Sequence, residues 1–186
     1  ANAWLNTLAL STTSVTVTVN NAAAGQAVYD AVLGAPRCSS VGNACDSGTL
    51  LNGVASSEPN APNTLGTCTD GTSGTYHVDE SVDRMRAYTT NGGPFAAGQA
   101  VTVEVTVWAF LIYADDILDL YYTANANSPT WTFLGSSIPA GSGARTFNAT
   151  VTLGAGGLHA IRGRFRYKNT ASGSCGTGAY DSHDDL

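Results

Sequence analysis

Acidic residues gather in two segments of a chain that otherwise carries little charge. Only 12% of the 186 residues are charged, yet Cys68–Arg86 and Cys175–Leu186 together hold half of the fourteen acids. Each segment begins at a cysteine, passes through a turn rich in Gly, Ser and Thr, reaches a tyrosine and then becomes acidic. Crowded carboxylates repel one another, so a cation, an arginine or water must offset their charge.

Calcium is the cation that suits such segments, because it takes about six to eight oxygen ligands, many of them from loops. The spacing of the acids does not match an EF-hand, since the DxDxDG core is missing. The alternative is a set of surface acids paired with Arg84 and Arg86. We expect at least one structural calcium site, drawn from Asp30, Asp46, Glu58, Asp70, Asp79, Glu80, Asp181, Asp184 and Asp185.

The four cysteines are predicted to form two disulfides, which implies an oxidising compartment. Their spacing contains no CxxC pair, whereas a zinc site usually shows two close ligand pairs. We expect Cys38–Cys45 to close a local loop and Cys68–Cys175 to join the two acidic segments, which share one layout. Asn148 begins an Asn-Ala-Thr sequon, which fits glycosylation of a secreted protein or an ordinary strand triplet.

Residues that could support catalysis are present but do not form a recognisable motif. The chain has neither a GxSxG elbow nor an HExxH helix. Ser73, His77 and Asp79 can be drawn as a triad, but such a drawing is easy in a chain rich in Ser and Thr. Asp115–Asp116 and Asp119 could be paired carboxylates of a glycosidase. A solvated turn is the favoured interpretation of Asp115–Asp116, and we expect no enzyme.

A second group of charges follows one predicted strand. Arg162, Arg164, Arg166 and Lys168 alternate with apolar or small residues, so they should share one face of a sheet. Such a stripe could contact an anionic glycan, an acidic face of a neighbouring subunit or water. Contact with water alone is the favoured interpretation.

Alternation of apolar and polar residues predicts an all-β fold. Ala100–Tyr113 is the strongest strand, with four valines at alternate positions from Val101 to Val107 on one face. No segment predicts a helix, which favours an antiparallel β-sandwich, with a jelly roll as the preferred topology. We expect one domain over residues 25–186. Its other main strands are predicted at Val82–Thr89, Leu118–Ala124, Thr130–Gly135, Thr146–Leu153, Leu158–Lys168 and in the tail.

Residues 1–24 are predicted to form a separate N-terminal strand arm. Ser14–Asn20 alternates Val15, Val17 and Val19 with threonines, as a strand with one buried face does. The Ala-rich segment Asn21–Gly25 follows as a hinge. The strand could be the first strand of the same domain, or it could pair with the sheet edge of a neighbouring copy.

Charge and hydropathy exclude two classes of partner. The net charge is −6 and Lys168 is the only lysine, whereas binding to nucleic acid needs a basic surface. No apolar run approaches the roughly 18 residues of a membrane-spanning helix. The start at Ala1, without a visible signal peptide, is interpreted as a mature or trimmed one.

Seven motifs cover most of residues 27–186: AVYDAVLGAPRC, ACDSGTLLNG, EPNAPNTLGTCTDG, GTYHVDESVDRMR, VTVWAF, DLYYTANANSPTW and SCGTGAYDSHDDL. Together they resemble a jelly-roll accessory domain appended to secreted bacterial peptidases and glycoside hydrolases. The resemblance implies a non-catalytic domain with structural calcium, similar in architecture to carbohydrate-binding modules. It also implies an acid on the last strand as a calcium ligand, here Asp184 or Asp185. The arm lies outside the resemblance.

These patterns together favour an extracellular structural protein. We expect a subunit of a self-assembling filament, tube or surface layer, stabilised by calcium and disulfides, whose partners are copies of itself. The alternative is a secreted carbohydrate-binding accessory module that binds a glycan. Such a module needs an exposed aromatic platform, for which Trp4, Trp108 and Trp131 are the candidates.

Overall fold

The structure is a computed structural model that describes residues 25–168 and 170–186. Ten β-strands and two short 3-10 turns, Ala55–Ser57 and Tyr113–Asp115, form within these ranges. The strands are β1 (Val28–Asp30), β2 (Ala35–Arg37), β3 (Ala44–Asp46), β4 (Ser81–Tyr88), β5 (Ala100–Ala109), β6 (Asp116–Thr123), β7 (Thr132–Ser137), β8 (Gly143–Thr152), β9 (Ala160–Tyr167) and β10 (Ser182–Asp185).

Two four-stranded sheets and one small hairpin contain these strands. One sheet has the order β3-β4-β5-β8, the other has the order β10-β9-β6-β7, and β1 pairs with β2. Every pairing between these ten strands is antiparallel. The predicted all-β, antiparallel fold is therefore confirmed, and the jelly-roll topology stays a prediction. The part of the chain that the structure describes has no helix long and apolar enough to cross a membrane.

The two sheets contribute to one hydrophobic core. The four predicted valines of β5 are buried, and Leu118 of β6 and Phe165 of β9 join the same cluster. β5 ends at Ala109, not at Tyr113 as the pattern predicted. The reason is local: the carboxylate of Asp116 accepts a hydrogen bond from Phe110 N (3.0 Å), which turns the chain out of the sheet.

Both predicted disulfides are confirmed among the described residues. Cys38–Cys45 has a Cα–Cα distance of 5.7 Å, and Cys68–Cys175 joins cysteines 107 residues apart at 5.5 Å. The segment after Cys68 runs along the tail, because Gly71 N donates to Asp181 O (2.7 Å). A Cβ at Gly71 would lie 2.2 Å from Ala179 O, so only glycine permits this approach. The two acidic segments are therefore neighbours.

The predicted arm, with Val15, Val17 and Val19, lies outside the described residues. The described chain begins at Gly25, whose N–H donates to Ser40 O (3.0 Å). The next residue, Gln26, forms a parallel bridge with Asp46 of β3. The chain thus enters the domain at an edge strand.

Candidate metal centre

The candidate centre lies against β10, an edge strand that pairs with β9 on one side only. Its other side is covered by two loop residues. His183 N donates to Asp70 Oδ1 (2.6 Å), and Asp185 N donates to Asn63 O (3.0 Å). The backbone of the last strand thereby fixes the positions of both loops.

Asp184, between these two contacts, is a carboxylate enclosed by protein. It is fully buried, and neither of its oxygens has a hydrogen-bond partner. It pairs with Gly163 of β9, whose missing side chain would lie 3.6–3.7 Å from Met85, Val105 and Val82. Because paired residues of neighbouring strands share a face, Asp184 belongs to the core side of its sheet. An unpaired charge at such a position costs several kcal/mol unless a proton or a cation neutralises it.

Two further acids reach the same place from the loops that precede β4. Asp70 accepts two backbone hydrogen bonds, from Ala55 N (2.7 Å) and from His183 N. Glu58 accepts a hydrogen bond from Asn63 Nδ2 (2.7 Å) and lies within hydrogen-bonding reach of Asp70. Burial and the neighbouring Asp70 raise the pKa of Glu58 to about 10.

We call Glu58, Asn63, Asp70 and Asp184 the acid pocket. Four buried oxygens in it lack a partner: Glu58 Oε1, Asn63 Oδ1 and both carboxylate oxygens of Asp184. Burial, Glu58 and Asp70 raise the pKa of Asp184 well above its ordinary value. Protons or a hard cation can satisfy these oxygens, and the all-oxygen donor set is the one that calcium prefers. The oxygen donors of the acid pocket are therefore of the type that calcium prefers.

The distances between the side chains set a condition for calcium binding in the acid pocket. Among the described residues, one group of three His, Cys, Asp or Glu ligand atoms lies within 4.8 Å of one another: Cys68, Cys175 and His183. Both cysteines are in a disulfide and supply no thiolate, so this group is not a metal site. The acids of the acid pocket are spaced more widely, so a shared calcium ion would have to draw them together.

His183 has a structural role, because it accepts a backbone hydrogen bond inside the domain. Its Nε2 accepts a hydrogen bond from Gly176 N (3.0 Å), and the ring is fully buried. Burial lowers its pKa to about 4, so the imidazole is neutral near pH 7.

Six of the nine predicted ligands lie outside the acid pocket, and Asp30 and Asp79 are two of them. Asp30 accepts hydrogen bonds from Val32 N and Leu33 N and pairs with Arg37. Asp79 accepts a hydrogen bond from Thr75 N (2.8 Å).

Asp46 pairs with Arg84 and Arg86. For this residue, the alternative to a calcium ligand, a surface acid paired with these two arginines, is correct. Neither arginine is deeply buried, and the Arg84 side chain is 46% exposed.

The expectation that the basic stripe contacts only water is wrong for its three arginines. Arg162, Arg164 and Arg166 are almost completely buried. Each guanidinium binds one aspartate: Arg162 Nε lies 2.7 Å from Asp185 Oδ1, Arg164 Nη2 lies 2.6 Å from Asp181 Oδ2, and Arg166 Nε lies 2.6 Å from Asp119 Oδ2. The predicted ligands Asp181 and Asp185 are thus counter-ions of arginines, and we do not include them in the acid pocket.

The arginines are buried because the segment before β10 covers their face of the sheet. Arg164 Nη1 donates to Ala171 O (2.7 Å) and to Gly173 O (3.0 Å), and Arg162 Nη1 donates to Ser174 O (3.0 Å). Lys168, the last member of the stripe, pairs with Asp115 at the surface.

A second buried acid pair joins Glu80 to Asp116. Both residues are buried, so the solvated turn predicted for Asp115–Asp116 is wrong for Asp116. Asp116 Oδ2 accepts a hydrogen bond from Phe110 N, whereas Oδ1 has no partner. Burial and the neighbouring Asp116 raise the pKa of Glu80 to about 8. This pair could not be predicted from the sequence, because the two acids are 36 residues apart and no local pattern links them.

The Glu80 pair predicts a specific pH dependence of stability. The pKa of Glu80 is higher in the folded chain, about 8, than its ordinary value of 4.5, so the folded state binds the proton more tightly. The stabilisation that Glu80 gives to the folded state is complete below its ordinary pKa of 4.5. It is lost as the pH rises through the folded-state pKa of about 8. Between about pH 5 and about pH 9, the melting temperature of Glu80→Gln should fall less than that of the wild type.

Differential scanning calorimetry at constant calcium measures this difference. Glu104→Gln, which alters a surface acid paired with Arg86, is the control and should follow the wild-type profile. Parallel profiles for Glu80→Gln and the wild type would contradict the prediction.

The residues drawn as a triad do not assemble into one. His77 Nε2 lies 2.9 Å from Asp83 Oδ2, and its ring stacks on Tyr76 and Trp108 at centroid distances of 3.8 and 4.2 Å. Asp79 binds backbone instead.

Asn148, which begins the sequon, is exposed in β8. This position is compatible with both interpretations of the sequon.

Comparison of the chain with protein-family models, with curated proteins and with solved structures finds no match. The interpretation of function therefore depends on the chain's own residues and their geometry.

Proposed function

We propose that this chain is a non-catalytic, extracellular structural protein that assembles with copies of itself into a filament, tube or surface layer. Residues 14–20 are the connector, and a calcium-bound, disulfide-linked jelly roll is the rigid body. The observation that carries the proposal is where the arm joins the domain. Gly25 and Gln26 lie on β3, an edge strand of only three residues beside the eight-residue β4. A strand that leaves the domain beside the edge of a sheet is well placed to pair with another copy.

Calcium is proposed to bind in the acid pocket, with oxygens from Glu58, Asn63, Asp70 and Asp184. The ion would supply the positive charge that these buried acids lack. It would also join the loops before β4 to the last strand, beside the Cys68–Cys175 disulfide. The resemblance to calcium-binding jelly-roll accessory domains, with an acid on the last strand, supports the same assignment.

The candidate aromatic residues of a glycan platform each contact another side chain. One face of Trp108 is stacked against His77, and the guanidinium of Arg162 lies 4.5 Å from the ring centroid of Trp131. These contacts occupy one face of each ring, so a glycan would have only the opposite face for stacking.

Deleting residues 1–24 tests the function directly. The full-length protein in calcium should form fibres or sheets visible by electron microscopy, whereas the truncated protein should remain a folded monomer with an unchanged melting temperature. The physical reason is that a head-to-tail contact need not close, so one connector per subunit generates an open polymer.

Two matched variants sharpen the deletion experiment. Replacing Val15, Val17 and Val19 by serine should prevent assembly, whereas replacing Thr16 and Thr18 by serine should preserve it. Full-length protein that stays monomeric at high concentration, or truncated protein that still forms fibres, would sink the proposal.

A further inference from the structure

The two-sheet core has an apolar groove at one end. Its walls include Val101 and Val103 from the start of β5 and Val151 from the end of β8. The opposite sheet contributes Tyr122 and Ile161, and the cavity has a volume of about 310 Å³. The core is therefore not closed at the end where β5 begins.

The rim of the groove is mostly apolar, although the lining also includes the charged or titratable side chains of Arg37, His159 and Asp185. Phe95, Leu153 and Leu158 are partly buried, and Val41 at the mouth is 51% exposed. Exposed apolar surface of this kind is typical of a site that another apolar group covers. A glycan does not suit the lining, because its hydroxyl groups would lose hydrogen bonds to water and find few partners.

The arm joins the domain beside this rim. Gly25 N donates to Ser40 O, and Ser40 is the neighbour of Val41 in the Cys38–Cys45 loop. The same loop is held to the rim, because Phe95 N donates to Gly42 O (3.1 Å). The groove thus lies where the chain outside the described residues begins.

The arm carries apolar side chains that could fill the groove. In an extended strand, Val15, Val17 and Val19 point to one side and the intervening threonines to the other. Three valines entering one apolar groove would leave water together and would fix the register, because a one-residue slip would replace them with threonines.

We infer that the groove is the acceptor site for residues 14–20 of a second copy of this chain. This inference rests on the proposed self-assembly, and it identifies the surface that receives the connector. The rival occupant is the exposed turn of another copy at the far end of β5, where Leu111 is 76% and Ile112 is 58% exposed.

Cysteine cross-linking between two different full-length variants tests the assignment. Val17→Cys and Leu153→Cys are purified with their native disulfides intact, mixed in calcium and oxidised mildly. A disulfide-linked heterodimer should form, and peptide mapping should join position 17 to position 153. With Thr18→Cys in place of Val17→Cys, cross-linking should be about tenfold slower, because that side chain points away from the groove.

Further variants make every outcome decisive. If Leu153→Cys does not fold, as judged by circular dichroism, Leu158→Cys replaces it at the rim. Ile112→Ser should leave both cross-linking and assembly unchanged. A cross-link found only within single chains of the Val17→Cys, Leu153→Cys double variant would overturn the inference, because the arm would then occupy its own groove.

Assembly without any cross-link, or assembly abolished by Ile112→Ser, would also overturn it. In both cases the wild-type protein would still assemble, so failure of the acceptor assignment is distinguishable from failure of the proposed function.

Discussion

Removing calcium is expected to lower the melting temperature of the protein by about 5–15 °C. A ligand present at about 100 to 1,000 times its dissociation constant stabilises the folded state by roughly 3–4 kcal/mol. For a chain of this length, each kcal/mol shifts the melting temperature by about 2–4 °C. The physical source is the acid pocket, where Asp184 has no hydrogen-bond partner in the described structure.

Asp184→Asn isolates the pocket as the source of this shift. The variant keeps the shape of the side chain but removes the charge, so its melting temperature should no longer respond to calcium or to a chelator. Asp30→Asn is the matched control, because Asp30 lies in a surface turn with Arg37 and should leave the calcium response intact. An unchanged melting curve after exhaustive chelation, with no metal in elemental analysis, would contradict the prediction.

Arg164→Ala is expected to lower the free energy of unfolding by about 3–5 kcal/mol, because it leaves Asp181 charged, buried and unpaired. The Arg164 side chain is 1% exposed, and that of Asp181 is completely buried. The guanidinium also holds two carbonyls of the covering segment, at Ala171 and Gly173. Urea denaturation monitored by tryptophan fluorescence measures the loss.

Two comparisons separate the buried charge from a general effect of truncation. The double variant Arg164→Met, Asp181→Leu removes both charges and should recover most of the lost stability. Arg84→Ala, which breaks the surface pair with Asp46, should cost only about 0–1 kcal/mol. If Arg84→Ala and Arg164→Ala lowered the free energy of unfolding equally, burial of the ion pair would not be the cause of the loss.

Local alternation was sufficient to predict the longer strands, β4 to β9, but not the three-residue strand β3. The valines of β5 are buried together because the two-residue period of a strand holds wherever one face meets a core. The same period placed the arginines of β9 on one face but could not tell that another segment covers that face. The covering segment follows β9 in sequence, and its carbonyls reach the arginines only after the chain has turned back.

The sequence indicated that acids of the two segments lie together, but it did not identify which acids form the acid pocket. Asp184 and Asp185 are adjacent, so alternation places them on opposite faces of β10. Which face meets an arginine depends on the register with β9, where Asp185 pairs with Arg162 and Asp184 with Gly163. Asn63, which follows Pro62, was missed because an amide side chain carries no charge signal.

The acid pocket has a consequence for the order in which the chain becomes ordered during biosynthesis. Its parts come from opposite ends of the domain: His183 binds Asp70 across 113 residues, and Asp185 binds Leu65 across 120. Contacts over such separations close large loops and form late. A chain emerging amino end first therefore carries its arm before it can complete the pocket. The acid pocket can therefore form only after β10 has been synthesised, which is long after residues 1–24.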